Sequence, residues 1–168
     1  QIKLICGYLE HMNTPLIHKT LLRLADSLPE GARLLGLDVG SKTIGLAVSN
    51  SDLTVATAID TIRRIKFAKD FEQLKNIIEG RSIGGLVIGL PISMDGTEGP
   101  ACQSIRQFST NIVERMDINI TFWDERLSTV GAFNLSSQLD IKVSKKIKNI
   151  DQNAAAFILQ GAIDYLKN

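Results

Sequence analysis

The sequence predicts an α/β domain in which a mixed β-sheet is covered by helices. Three observations carry this. Short apolar or alternating segments of strand length are separated by stretches whose apolar residues recur at helical spacing. Their order is three strands, helix, strand, helix, strand, then helices. A doubly wound, all-parallel fold does not begin with a three-strand meander, whereas a mixed sheet does. Composition agrees: 168 residues, 44% of them apolar and 22% charged, suffice for one domain with a sizeable core and an appendage.

Residues 1–32 read as an N-terminal extension ahead of a domain spanning 33–168. Leu4, Ile5, Leu9, Met12, Leu16, Ile17, Leu21, Leu22 and Leu24 recur at roughly helical spacing, so the extension is expected to be helical. It has no basic start and no small-residue cleavage site after a long apolar stretch, which argues against a secretory leader. No function can be read from it.

From Leu34 the pattern changes. Leu34 to Asp38 and Ile44 to Ser49 are strands joined by a tight turn at Gly40-Ser41-Lys42-Thr43, and Leu53 to Thr61 is a third strand. Phe71, Leu74, Ile77 and Ile78 mark a helix that stops near Gly80. Leu86 to Leu90 is wholly apolar and ends at Pro91, as suits a buried parallel strand. A polar loop follows, then a helix begins at Pro100 with Ala101, Ile105, Phe108 and Ile112 on one face. Ile118 to Trp123 is a strand. Leu127, Val130, Ala132 and Leu135 suggest another helix, and Ala155, Ile158 and Ala162 mark the last one. No internal repeat is visible.

Several function classes drop out. No run of about 18 apolar residues exists, so no membrane span or membrane partner is expected. The net charge is only +1, so a nucleic-acid partner would need a local basic patch. Cys6 and Cys102 form neither a metal-spaced cluster nor a disulfide framework, so a reducing, cytoplasmic setting is expected. The two histidines, His11 and His18, both fall in the extension. Histidine catalysis and His/Cys zinc sites in the main body are thereby excluded, and acidic chemistry remains.

Three groups of acids stand at element ends. Asp38 closes an apolar strand, either as a turn-former beside Gly40 or as a functional carboxylate. Asp124 and Glu125 end the strand through Trp123. Neighbours on a strand face opposite ways, so at most one of the two points at a shared site unless the strand has ended, and Asp124 can instead cap the next helix. Asp151 opens the last helix, as an N-cap or as a ligand. It lies four residues before Ala155, on the helix face that meets the sheet. Converging carboxylates repel, and a bound cation removes that penalty. Mg²⁺, or Mn²⁺, suits sparse carboxylates completed by water and phosphate oxygens, and two such ions can serve phosphodiester hydrolysis. Lys142, Lys145, Lys146 and Lys148 crowd before Asp151, either as a solvated loop or as a grip on phosphates. Lys42 and Arg126 are further phosphate candidates.

At this point the residues resemble a known family. The run Leu37-Asp38-Val39-Gly40-Ser41-Lys42-Thr43-Ile44-Gly45-Leu46-Ala47-Val48-Ser49 is similar to the first motif of the YqgF family. Gly89-Leu90-Pro91 with Met94-Asp95-Gly96-Thr97-Glu98 is similar to its middle motif, and Asp124-Glu125-Arg126-Leu127-Ser128-Thr129 to its third. Asp151 with Ala154-Ala155 and Ile158-Leu159 resembles the last. The four motifs span about Leu34 to Leu166 and leave the extension out. The resemblance implies an RNase H-like fold with a five-stranded mixed sheet and helices on both faces. It implies a metal-dependent nuclease related to Holliday-junction resolvases and to nucleases that mature the 5′ end of pre-16S rRNA. The family's acidic site maps onto Asp38, the Asp124–Glu125 pair and Asp151. Glu125 is favoured over Asp124 as the ligand beside Asp38 and Asp151, although parity alone leaves both open. A homodimer suits a resolvase making paired cuts; an RNA processor does not need one.

Three other functions compete. An actin-like ATPase also uses Asp-x-Gly in a strand turn, but it resembles two such domains with a cleft between them. A P-loop would need a glycine where Ser41 stands, directly before the Lys. A non-catalytic nucleic-acid-binding module would keep the fold without keeping all the acids.

Overall fold

The computed structural model describes residues 16–127 and 150–167, and of 150–153 the backbone alone. In chain order the elements are β1 (Ile17–His18), α1 (Leu21–Asp26), β2 (Arg33–Val39), β3 (Thr43–Ser49) and β4 (Ala56–Arg63). They continue with α2 (Phe67–Gly80), β5 (Ile83–Leu90), α3 (Pro100–Val113), β6 (Asn119–Asp124) and α4 (Ile150–Leu166). The six strands form one mixed sheet in the order β1-β6-β5-β2-β3-β4. β1, β6, β5 and β2 run parallel, and β3 and β4 complete an antiparallel meander beside β2.

The innermost strands read as continuous apolar runs because both their faces are covered. On one face Leu35, Leu37, Leu86 and Ile88 pack against Leu74 and Ile78 of α2 and Ile105, Phe108 and Ile112 of α3. On the other, Leu34, Val87 and Trp123 pack against Leu21 and Leu24 of α1 and Ala155, Ile158 and Leu159 of α4. The α3 stripe includes Cys102 in place of the expected Ala101, which is exposed. The helix turns Cys102 inward, where its thiol donates to the Pro91 carbonyl at 3.2 Å.

The sheet has six strands where five were expected. The extra one comes from the N-terminal extension, whose described part is a strand followed by a short helix. Without it β6 would be an open edge with unpaired backbone groups. Ile17 and His18 pair with Ile120 and Thr121, and Ile120 N–H donates to the Leu16 carbonyl at 2.7 Å. Thr20 then caps α1, accepting from Arg23 N–H at 3.3 Å. Of the extension's apolar residues, Leu21 and Leu24 are buried, whereas Leu22 is exposed. Val130, Ala132 and Leu135, expected on a helix, lie outside the described residues. No helix among the described residues is long and apolar enough to cross a membrane.

Candidate active site

The site is organised by strand parity. On β2, Leu35 and Leu37 face α2 and α3, so Gly36 and Asp38 face α4. On β6, Phe122 faces α3 and Trp123 faces α4. Asp124 therefore leaves toward α3, and Glu125, one residue later, toward α4. The parallel ends of β2, β5 and β6 lie together, so Asp38 and Glu125 meet on the α4 side.

Glycine makes room for this meeting. A Cβ on Gly89 of β5 would lie 2.6 Å from Glu125 Oε1 and 2.5 Å from Ile158 Cδ1. A Cβ on Gly36 would lie 2.7 Å from Leu159 Cβ, so α4 sits directly on the sheet. Farther along, Gln160 and Lys167 donate to the Thr54 carbonyl, at the opposite end from Asp38. The helix thus runs antiparallel to β2, and its first turn, with Asp151 as second residue, stands at the Asp38 end. The Asp151 side chain lies outside the described residues.

The two neighbouring acids differ electrostatically. Burial raises the Glu125 carboxyl to about 7, with the charges of Asp38 and Asp124 adding to the effect. Hydrogen bonds from Arg126 hold Asp124 below the usual carboxylate range. Arg126 Nη2 and Nε reach Asp124 at 2.6 Å and 3.0 Å, and its backbone N–H donates to Oδ1 at 3.0 Å. Arg126 Nη1 also donates to the Ser93 carbonyl at 3.4 Å. This ties the 93–99 loop to the end of β6.

The donor set on the α4 side fits a hard divalent cation. Asp38 and Glu125 supply carboxylate oxygens, and their mutual repulsion is what a cation relieves. Along the same sheet row, Asp38 pairs with Gly45 and Gly45 with Thr61. The buried Thr61 Oγ1 has no hydrogen-bond partner among the described residues.

Of the basic candidates, Lys42 is exposed in the β2–β3 turn, three residues past the end of β2 nearest Asp38, and Arg126 is engaged by Asp124. Lys142, Lys145, Lys146 and Lys148 lie outside the described residues. A strand, β3, follows the Gly40–Thr43 turn where a P-loop would need a helix. Sequence reasoning missed Arg64 and Asp70. Arg64 donates through Nη1 to the Gly40 carbonyl at 2.7 Å and through its backbone N–H to the Lys42 carbonyl at 2.9 Å. Buried Asp70 accepts from Ile65 N–H at 3.1 Å and stands 3.8 Å from Arg64 Nε. The run Arg63-Arg64-Ile65-Lys66 was visible, but nothing local in it points toward the turn after Asp38.

A family model described as RuvX, Holliday junction resolvase, matches residues 32–165, starting one residue before β2. A protein named "Putative pre-16S rRNA nuclease" from Pelagibacter ubique is 51% identical over 136 residues, 81% of this chain and 90% of its own. One of the same name from Ruegeria pomeroyi is 49% identical over 153 residues, 91% of this chain and 99% of its own. Among solved structures, T. thermophilus RuvC in complex with a Holliday junction substrate matches with a TM-score of 0.50 at 8% identity, over 80% of this chain and 96% of that one. At that identity the likeness concerns the fold, which is RNase H-like.

Proposed function

The chain belongs to the RuvX family of Holliday junction resolvases, the YqgF family its motifs resemble, and on that premise we propose that it is a metal-dependent endonuclease hydrolysing phosphodiester bonds. The precursor of 16S rRNA, cut at its 5′ end, is the first substrate to test, and the four-way DNA junction the second. Relatives near 50% identity carry the rRNA name, whereas the junction-bound structure shares 8% identity. Action on precursor rRNA would place the protein in the cytoplasm.

The observation that carries the proposal is the meeting of Asp38, near the end of β2, and Glu125, one residue past β6, beside the glycine of a third strand and at the α4 end that bears Asp151. Asp38, Glu125 and Asp151 would hold Mg²⁺ or Mn²⁺. When bound, such a cation supplies positive charge against which phosphate oxygens can be neutralised. Without the cation the Glu125 carboxyl lies near 7, so binding of the cation near neutral pH would release its proton. Asp124 acts differently: it holds Arg126, which leaves Glu125 as the acid of the pair on the α4 side. Lys42, and beyond the described residues Lys142, Lys145, Lys146 and Lys148, would contact phosphates.

The test is cleavage by the purified full chain of precursor rRNA and of a four-way junction, side by side, with Mg²⁺, Mn²⁺ or EDTA. Metal-dependent cutting of either is expected. Binding without any cutting would favour a non-catalytic module and overturn the proposal. Cutting of the junction in paired nicks would call for a homodimer, whereas trimming of rRNA would not.

A further inference from the structure

A second basic surface lies at the same end of the sheet as Asp38, formed by residues that the lysine run before Asp151 does not include. β3 leaves this end and β4 returns to it, so Arg63 is placed directly across from Thr43, next to Lys42 in the turn. Lys66 and Lys69 follow at the start of α2. Lys42, Arg63, Lys66 and Lys69 are all exposed, and among the described residues none of the four is in an ion pair.

The acid nearest in sequence does not offset them. Asp70, in the first turn of α2, is 1% exposed and is occupied by Arg64 and the Ile65 N–H. Arg64 in turn grips the carbonyls of Gly40 and Lys42. It thereby ties the β2–β3 turn, which carries Lys42, to the β4–α2 junction, which carries the other three. Arg63, at the end of β4, is two strands from Asp38, roughly 10 Å at ordinary strand spacing, and Lys66 and Lys69 continue from that end of the sheet onto the start of α2, on the face opposite α4.

We propose that Lys42, Arg63, Lys66 and Lys69 form a track for the phosphate backbone of the substrate strand, leading away from the Asp38–Glu125 site across β3 and β4. The proposal rests on the nuclease function above and names where that substrate runs. Charge complementarity and continuity with the carboxylate site commit the surface to a nucleic-acid strand. Contacts to phosphate carry no sequence information, so the track sets affinity and register and leaves choice of sequence to other contacts.

The experiment measures binding of a labelled single-stranded RNA across a salt series, in an Asp38→Asn background so that no cleavage intervenes. The triple variant Arg63→Gln/Lys66→Gln/Lys69→Gln replaces exposed side chains and leaves the Arg64–Asp70 contacts in place. Its log–log salt slope should flatten by about 2 units, with binding weakened about equally for unrelated sequences. Lys75→Gln, farther along α2 and paired with Glu79, serves as the control and should leave the slope unchanged. In the cleavage-competent chain the same triple variant should raise KM, with the loss falling there rather than in kcat. A wild-type slope in the triple variant, or an equal loss per charge in the control, would overturn the track. Failure of the nuclease proposal appears separately, as absence of metal-dependent cutting by the wild-type chain.

Discussion

At the end of β6 the α3 side and the α4 side of the sheet receive consecutive carboxylates and treat them in opposite ways. Toward α3, Asp124 meets Arg126, which returns from two residues ahead to hold both carboxylate oxygens. Toward α4, Glu125 meets the backbone of Gly89, the side chain of Ile158 and the charge of Asp38. One acid is neutralised by the chain itself. The other is gathered with a like charge in a half-buried place, an arrangement that disfavours its ionisation. Perturbation by burial together with a specific charge neighbour is the pattern expected of a functional site. The difference teaches that position on the pleat, more than residue type, decides the surroundings of each acid here.

The comparison breaks most visibly in catalysis. Asp38→Asn should lower metal-dependent cleavage by two orders of magnitude or more, roughly the loss typical of removing a group that acts in the chemical step. Asp124→Asn should cost far less. Equal losses in single-turnover assays would show that both sides of the sheet end take part in the reaction.

Gly89→Ala tests the packing of the α4 side. The new methyl has no space between Ile158 and Glu125, so α4 or Glu125 must shift. A loss of about 1–3 kcal/mol in urea unfolding is expected, together with reduced cleavage. Wild-type values for both would mean that the α4 contact with β5 is looser than the geometry indicates.

Glu125→Gln sharpens the electrostatic half of the comparison. The Glu125 carboxyl titrates near 7 in the folded chain, above its ordinary 4.5. Below pH 4.5 it is protonated folded or unfolded and contributes nothing. Between pH 4.5 and 7 the unfolded chain gives up a proton that the folded chain keeps, so stability falls, and above 7 the loss levels off. In metal-free buffer the variant should therefore be more stable than wild type at pH 8, by about 1–3 kcal/mol from the size of the shift. The gain should vanish by pH 4.5 and shrink when Mg²⁺ is added. A gain independent of pH would remove Glu125 from the repulsive site.

Arg126→Gln should have the smallest effect. Asp124 is held below its usual range by Arg126, so this pair stabilises the fold above about pH 4, and the contribution is lost as pH falls through the folded value. The pair is partly exposed, with Arg126 at 35% and Asp124 at 22%, so screening keeps its contribution modest. Thermal melts should show a slight loss at pH 7 that shrinks as pH falls below 4.

Much of the architecture was legible locally. Leu34 to Asp38 and Leu86 to Leu90 announced inner strands because burial on both faces leaves no polar alternation. Gly80 and Pro100 marked a helix end and a helix start that the structure keeps. β1 was missed because a two-residue strand has no period of its own. It forms because β6 offers an edge about 100 residues away, where His18 Nε2 also pairs with Asn119 Oδ1 at 2.7 Å. Arg64 was missed for the same reason: its side-chain anchor on the β2–β3 turn, the Gly40 carbonyl, lies 24 residues back along the chain.

By itself, the sequence determined an α/β order of elements, a set of acids standing at their ends, and the expectation that Asp124 and Glu125 diverge as long as the strand runs through both. Only the tertiary structure decided which of the two turns toward Asp38. Alternation along a strand is a relative property, with no absolute inside or outside until a helix is laid on one face. Here α4 supplies that reference. By closing on Gly36 and Gly89, it defines the side on which Glu125 is pressed against a second carboxylate and Asp124 is left to Arg126.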